Sequence, residues 1–331
     1  MLLLIFSLLI AATTHVIPVV KAWDDPKQAS NLYSSEWQVG SLDSGNLTVA
    51  LSQIYDMFED QQYFYWVWWW PYTPVDSSPV YYHLNNFEAE TTENLVTSEI
   101  DYCEDNHEFT AIFYYGHMGM SDATGLDYPY WNYGFREQAT LDGPEPDTIW
   151  DTDIYYSPTV DNHHFVFLWV CNNGNIGGAT NPVYGMPRCW TRVNLSPDGY
   201  GDPLIEGNPD SSSYCFIGFE GMSPGLAESL EAEQGYQNYK YWLVFFYHYL
   251  LEEDESVQAA LWYASYNVGY EGWLDEENRL RMGHEYYWPG WIGDPENKPD
   301  LYPDADYYPG KMRIYGDGSV HLPVSENVVM G

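Results

Sequence analysis

Apolar positions along the chain fall mainly into unbroken runs, not into alternation. Residues 109–115 read Phe-Thr-Ala-Ile-Phe-Tyr-Tyr, 165–170 read Phe-Val-Phe-Leu-Trp-Val, and 214–219 read Tyr-Cys-Phe-Ile-Gly-Phe. Continuous runs of this length predict parallel strands covered on both faces. Two other stretches repeat at helical spacing. Tyr239, Trp242, Leu243, Phe246, Tyr247 and Leu250 share one face. Val257, Ala260, Leu261, Ala264 and Val268 share another, with Ser256 placed to cap it. An earlier helix is predicted from Thr92 to Cys103, with Val96, Ile100 and Cys103 together on its buried side.

The remaining segments are less regular. Residues 23–45 read as an irregular lead-in. The aromatic run 64–70, ended by Pro71 and Pro74, reads as a buried strand rather than a carbohydrate platform. Residues 284–310, rich in Trp, Tyr, Pro and Asp, read as an ordered extended loop. Residues 313–322 read as a hairpin centred on Asp317-Gly318. Strand, helix, strand, loop, strand, strand, helix, helix is an α/β order, which predicts a mostly parallel central sheet flanked by helices.

Composition narrows the possibilities. A chain of 331 residues with 45% apolar side chains can bury a full core, so disorder is not expected. It carries 49 acidic and 11 basic side chains, a net charge of -38. Such a surface repels phosphate backbones and anionic lipid, so no nucleic-acid partner is expected. The N-terminus is almost continuously apolar from Met1 to Ala12, and Val20-Lys21-Ala22 offers a cleavage site before Trp23. Residues 1–22 therefore read as a secretory signal peptide, and the protein as secreted, without stable membrane insertion after signal removal. The alternative is an uncleaved anchor at the cell surface. Triplets beginning at Asn46 and Asn194 are glycosylation sequons. Asp294, Asp300, Asp304 and Asp306 offer oxygen ligands for calcium but lack an EF-hand pattern, and His163-His164 reads as solvated rather than metal-binding. No metal site or required cofactor is expected. The four cysteines, at 103, 171, 189 and 215, show no zinc spacing.

Candidate chemistry lies where two strands end. Residues 109–115 run into Gly116-His117-Met118-Gly119, and 165–170 run into Cys171-Asn172-Asn173-Gly174. Ligands of open parallel sheets bind at the carboxyl ends of strands. A thiol is mostly protonated at neutral pH, and an adjacent imidazole removes its proton. Taken alone, Cys171 has another reading, as one half of a disulfide with Cys189, and His117 another as a strand-end histidine bonded to backbone.

With these strand ends the chain resembles the caspase–haemoglobinase-like cysteine peptidases, the group of caspases, legumains, gingipains and clostripain. There a catalytic His-Gly ends one strand and a catalytic Cys the next, matched here by His117 and Cys171, 171 − 117 = 54 positions apart. Thr91-Thr92-Glu93-Asn94-Leu95 resembles the group's helix start before the histidine strand. Residues 149–154 resemble its short segment before the cysteine strand. Phe216-Ile217-Gly218 with the helix pair at 236–268 resembles its segment after the cysteine. Two departures stand out. Met118 occupies the place of the group's glycine, with Gly119 one later, and Asn172-Asn173-Gly174 replaces the usual Ser-Gly after the cysteine.

The resemblance implies a three-layer caspase–haemoglobinase-like sandwich. Its peptidase domain would span residues 46–270, with the extended loop and C-terminal hairpin of 271–331 packed on it. It implies an endopeptidase with Cys171 as nucleophile and His117 as general base and acid. The oxyanion donors would be the N–H groups of Cys171 and of Met118 or Gly119. Glu220 is a candidate for holding a basic substrate residue, as clostripain and gingipains prefer, and the partner is a peptide or protein substrate. Two other classes stay open: a non-catalytic extracellular binding module on the same fold, and a carbohydrate-active protein using paired carboxylates.

Overall fold

The computed structural model describes residues 26–35, 44–67, 76–87, 91–122, 131–136, 148–156, 163–174, 185–191, 214–220, 223, 225–226, 239–267 and 311–330. The signal segment 1–22, the whole aromatic loop 284–310 with its aspartates, and Val268 and Asn194 lie outside the described residues.

A six-stranded sheet forms the centre. Its strands are β1 (Gln28–Ser34), β4 (Tyr81–Phe87), β5 (Phe109–Tyr115), β9 (His163–Trp169), β10 (Cys215–Glu220) and β11 (Lys311–Gly316), in the order β11-β10-β9-β5-β1-β4. The first five are parallel, and β11 closes one edge antiparallel to β10. Two small three-stranded sheets flank it. One joins β2 (Gln62–Val67), β3 (Asp76–Pro79) and β12 (Glu326–Met330). The other joins β6 (Met118–Asp122), β7 (Trp131–Arg136) and β8 (Thr148–Trp150).

Helices cover both faces, giving three layers. Helix α1 (Ser44–Glu59), α5 (Tyr239–Leu251) and α6 (Val257–Asn267) pack on the face that carries Leu32, Phe113, Phe167 and Ile217. Helix α2 (Glu93–Asn106), α3 (Asp151–Tyr156) and α4 (Met186–Thr191) pack on the face of Tyr33, Ile112, Val166 and Phe216. Successive strand residues alternate between two apolar layers, which is why the sequence reads as continuous apolar runs. The helix faces follow the spacing: Val96, Ile100 and Cys103 are buried on α2, and every one of the six residues named for α5 is buried. Thr92 caps α2, its hydroxyl accepting from Leu95 N–H. Ser256 Oγ accepts from Ala259 N–H at 3.3 Å.

Four expectations are corrected. The segment 23–45 is not simply an irregular lead-in, because residues 28–34 form β1 inside the sheet and α1 begins at Ser44. β1 is hard to see in the sequence because Gln28, Ser30, Asn31 and Ser34 are buried polar residues with little apolar pattern between them. Within the aromatic run, residues 64–67 belong to β2 of a small sheet, where Phe64 and Tyr65 are half-buried rather than core, and residues 68–70 lie outside the described ones. His163 and His164 lie within β9, not before it. The turn at Asp317 forms, with Ser319 N–H donating to Asp317 Oδ1 at 2.8 Å, but no hairpin follows. Instead the carbonyls of Gly318 and Val320 accept from Gln258 N–H and Val257 N–H, closing the first turn of α6. The chain then enters β12, parallel to β2.

Candidate active site

The chain passes from β1 to β4 on one side and returns to β5 on the other, so the strand order reverses between β1 and β5. Their carboxyl ends, with those of β9 and β10, lie along one edge of the sheet. Tyr115 of β5 is in register with Trp169 of β9. His117 and Cys171 each follow two residues later, so each lies just past the end of one of two neighbouring, registered parallel strands.

The histidine side is held by a polar cluster at the switch point. Ser35 N–H donates to Tyr115 O at 2.9 Å, and Ser35 Oγ donates to Arg136 O at 2.7 Å. The Tyr114 hydroxyl lies 2.7 Å from Ser35 Oγ and also donates to Arg136 O. Gly116 lets this cluster close: a Cβ there would stand 2.4 Å from Ser35 Oγ and 2.7 Å from the Tyr114 ring. Arg136, at the end of β7, grips the next two peptide units. Its N–H donates to His117 O at 2.8 Å, and its Nε donates to Met118 O at 3.1 Å.

This grip fixes a direction. No cis peptide occurs among the described residues, and in a trans peptide the C=O and N–H point opposite ways. With His117 O turned toward β7, Met118 N–H points away from it. Gly119 pairs with Gly134 one step on, and alternation of the antiparallel ladder turns its N–H back toward β7. His117 itself is exposed, and Met118 half-buried.

The cysteine side is a tight turn, residues 171–174, pinned from three directions. Asn172 takes φ 59°, a left-handed conformation that asparagine tolerates well. Its Nδ2 donates to Met118 Sδ at 3.0 Å, so the two strand-end loops touch. Asn173 is fully buried, and its Nδ2 donates to Gly134 O and to Cys171 O, each at 3.1 Å. Gly174 N–H donates to Phe219 O at 2.8 Å, and Tyr315 OH donates to Gly174 O at 2.6 Å. A Cβ on Gly218 would stand 2.9 Å from Gly174 N, so β10 needs glycine where the turn lies on it. Cys171 is half-buried, with its Sγ accepting from Ser223 N–H at 3.3 Å and lying 3.4 Å from Ser223 Oγ.

The other sequence candidates separate from this pair. No disulfide links the four cysteines, so the Cys171–Cys189 alternative is not formed; Cys189 is buried on α4. Cys103 Sγ faces Asn31 Oδ1 at 3.4 Å. Burial, with the Asp317 charge adding to it, pushes the Cys215 thiol far up and keeps it neutral. Glu220 ends β10 opposite Lys311, and its side chain is outside the described ones. Among the described residues no group of three or more His, Cys, Asp or Glu side chains is placed to hold a metal. No described helix is long and apolar enough to cross a membrane.

Sequence reasoning missed Ser35, Tyr114, Arg136 and Ser223. Ser35 follows a strand that the polar pattern conceals. Arg136 had one signal, as one of only 11 basic side chains. Ser223 sits three residues after β10, where the strand-end rule that found Cys171 would also have found it.

No family model and no curated protein matches the sequence. Among solved structures the chain is similar to caspase-1 from Spodoptera frugiperda. The identity is 10% over 90% of this chain and 92% of that one, with a TM-score of 0.34. A likeness that low bears on neither the fold nor the site, which rest on the geometry above.

Proposed function

We propose that the protein is a secreted cysteine endopeptidase in which Cys171 and His117 act as a dyad. The observation that supports this reading is the registered pairing of Tyr115 with Trp169 beside the switch point, two residues before His117 and Cys171 on adjacent parallel strands. In the proposed reaction His117 accepts the thiol proton and the sulfur attacks the peptide carbonyl carbon, forming a C–S bond. The C–N bond then breaks, and His117 returns the proton to the leaving amine. Water, deprotonated by His117, next attacks the thioester, releasing the acid and restoring the thiol. The oxyanion would be met by Cys171 N–H and, of the two sequence candidates, by Met118 N–H, since Gly119 N–H is turned into the ladder. The reaction needs no cofactor.

The acidic surface suits a peptide or protein substrate with a basic residue before the cut bond, and Glu220 is the proposed contact. Cys171→Ala should abolish hydrolysis of an arginyl or lysyl peptide while the melting temperature changes little. His117→Ala should lower turnover by about 10²-fold or more, the usual scale of a lost general base. Full hydrolysis by the Cys171→Ala protein would overturn the dyad. Export is proposed on the 1–22 segment. Secreted protein should begin at Trp23; a terminus at Met1 would show an anchor instead.

A further inference from the structure

The sulfur of Cys171 has a partner that the dyad does not include. Ser223 presents two groups to it, the backbone N–H at 3.3 Å and Oγ at 3.4 Å. An N–H can only donate, so the sulfur is an acceptor in that contact. A serine hydroxyl can accept from S–H and then rotate to donate once the proton has left. Both interactions strengthen when the sulfur becomes an anion, because hydrogen bonds to a charged acceptor are stronger than neutral ones.

Ser223 is brought there by fixed elements on both sides. Upstream, Phe219 O holds Gly174 N–H, and the missing Cβ of Gly218 lets the cysteine turn lie against β10. Downstream, Leu226 is fully buried, and its carbonyl accepts from Lys240 N–H at the start of α5 at 3.1 Å. The donors therefore face the sulfur before any substrate arrives.

We infer that Ser223 is a second holder of the Cys171 sulfur, a two-donor cradle that stabilises the thiolate independently of His117. This deepens the peptidase reading, adding a residue from the segment after β10 to a site otherwise built from the ends of β5 and β9. It also implies that loss of His117 leaves the thiol partly reactive.

Iodoacetamide labelling of the folded full chain tests this without relying on hydrolysis. Cys103, Cys189 and Cys215 are buried, so they should stay unlabelled, and their protection reports that each variant is folded. Ser223→Ala should label Cys171 about tenfold more slowly at pH 7, the scale of one hydrogen bond to a charged acceptor. Its labelling profile should move to higher pH, and Ser223→Thr should restore both. The His117→Ala, Ser223→Ala double variant should be slower than either single one. Unchanged labelling in Ser223→Ala would overturn the cradle. Faster labelling would also overturn it, showing Ser223 to be a cover over the sulfur. Slowed labelling in a protein that cleaves no peptide would support the cradle and remove the peptidase reading. Unchanged labelling alongside loss of hydrolysis in Cys171→Ala would do the reverse.

Discussion

Gly116 holds the histidine side of the site together by having no side chain. Ser35 is 2% exposed and Tyr114 1% exposed, so neither can withdraw from an added methyl group. Gly116→Ala should cost about 1–3 kcal/mol, as overpacking of a closed site does. A chemical-denaturation midpoint would register it. The methyl should also push Ser35 off the Arg136 carbonyl and loosen the grip on the His117–Met118 peptide. Hydrolysis should then fall by more than the small unfolded fraction explains. A Gly116→Ala protein as stable and as active as the parent would show that the cluster does not position this loop.

Among the elements, β1 shows what a single sequence conceals. α5 and α6 were legible because a surface helix buries one stripe, and the stripe recurs at a fixed spacing. β5, β9 and β10 were legible because both their faces are apolar. β1 lies between β4 and β5 yet relies on polar partners drawn from elsewhere. Ser30 Oγ lies 2.8 Å from His83 Nδ1, Gln28 Oε1 accepts from Tyr63 OH, and Asn31 Oδ1 faces Cys103 Sγ. Those partners sit tens of residues away, so no local pattern announces the strand. The site divides in the same way. His117 and Cys171 follow strands that the sequence displays, whereas Ser35 and Arg136 reach them only through tertiary register.

The Ser30–His83 pair also gives the β1–β4 junction a pH dependence. Burial holds His83 below its ordinary value, among the rings of Tyr55 and Tyr81. The folded protein keeps this imidazole neutral where the unfolded chain takes up a proton. Stability from this group is therefore present above an unfolded value of about 6.5 and is lost as pH falls below it. His83→Gln should flatten the decline in denaturation midpoint as pH falls below about 6.5. A variant whose midpoint falls as steeply as the parent's over that range would exclude His83 as a source of acid sensitivity.

At the scale of the whole molecule, the acidic and the aromatic side chains among the described residues occupy different places. Asp151 is the one carboxylate among the buried polar residues described; it accepts from Gly185 N–H at 2.7 Å and so ties α3 to the start of α4. The aromatic residues supply much of the core beneath α5, where Phe246 stacks on Trp242 with centroids 5.6 Å apart and meets Phe167 edge-on at 5.7 Å. Packing rather than ligand contact thus accounts for many of them.

The pairing of β2 with β12 has a consequence for the time course of folding. Tyr63 stands opposite Glu326, a separation of 326 − 63 = 263 positions, whereas Ala111 and Phe165 of β5 and β9 are 165 − 111 = 54 apart. Closing the longer loop costs about 1.4 kcal/mol more in chain entropy. The small sheet should therefore join after the central one is in place. Gln61 marks that late step, its Oε1 accepting from Ser325 N–H at 2.8 Å. Gln61→Ala should speed unfolding and leave the refolding rate nearly unchanged, because contacts absent from the rate-limiting transition state act on the unfolding limb. Equal slowing of refolding would place this long-range clasp at the beginning of folding instead.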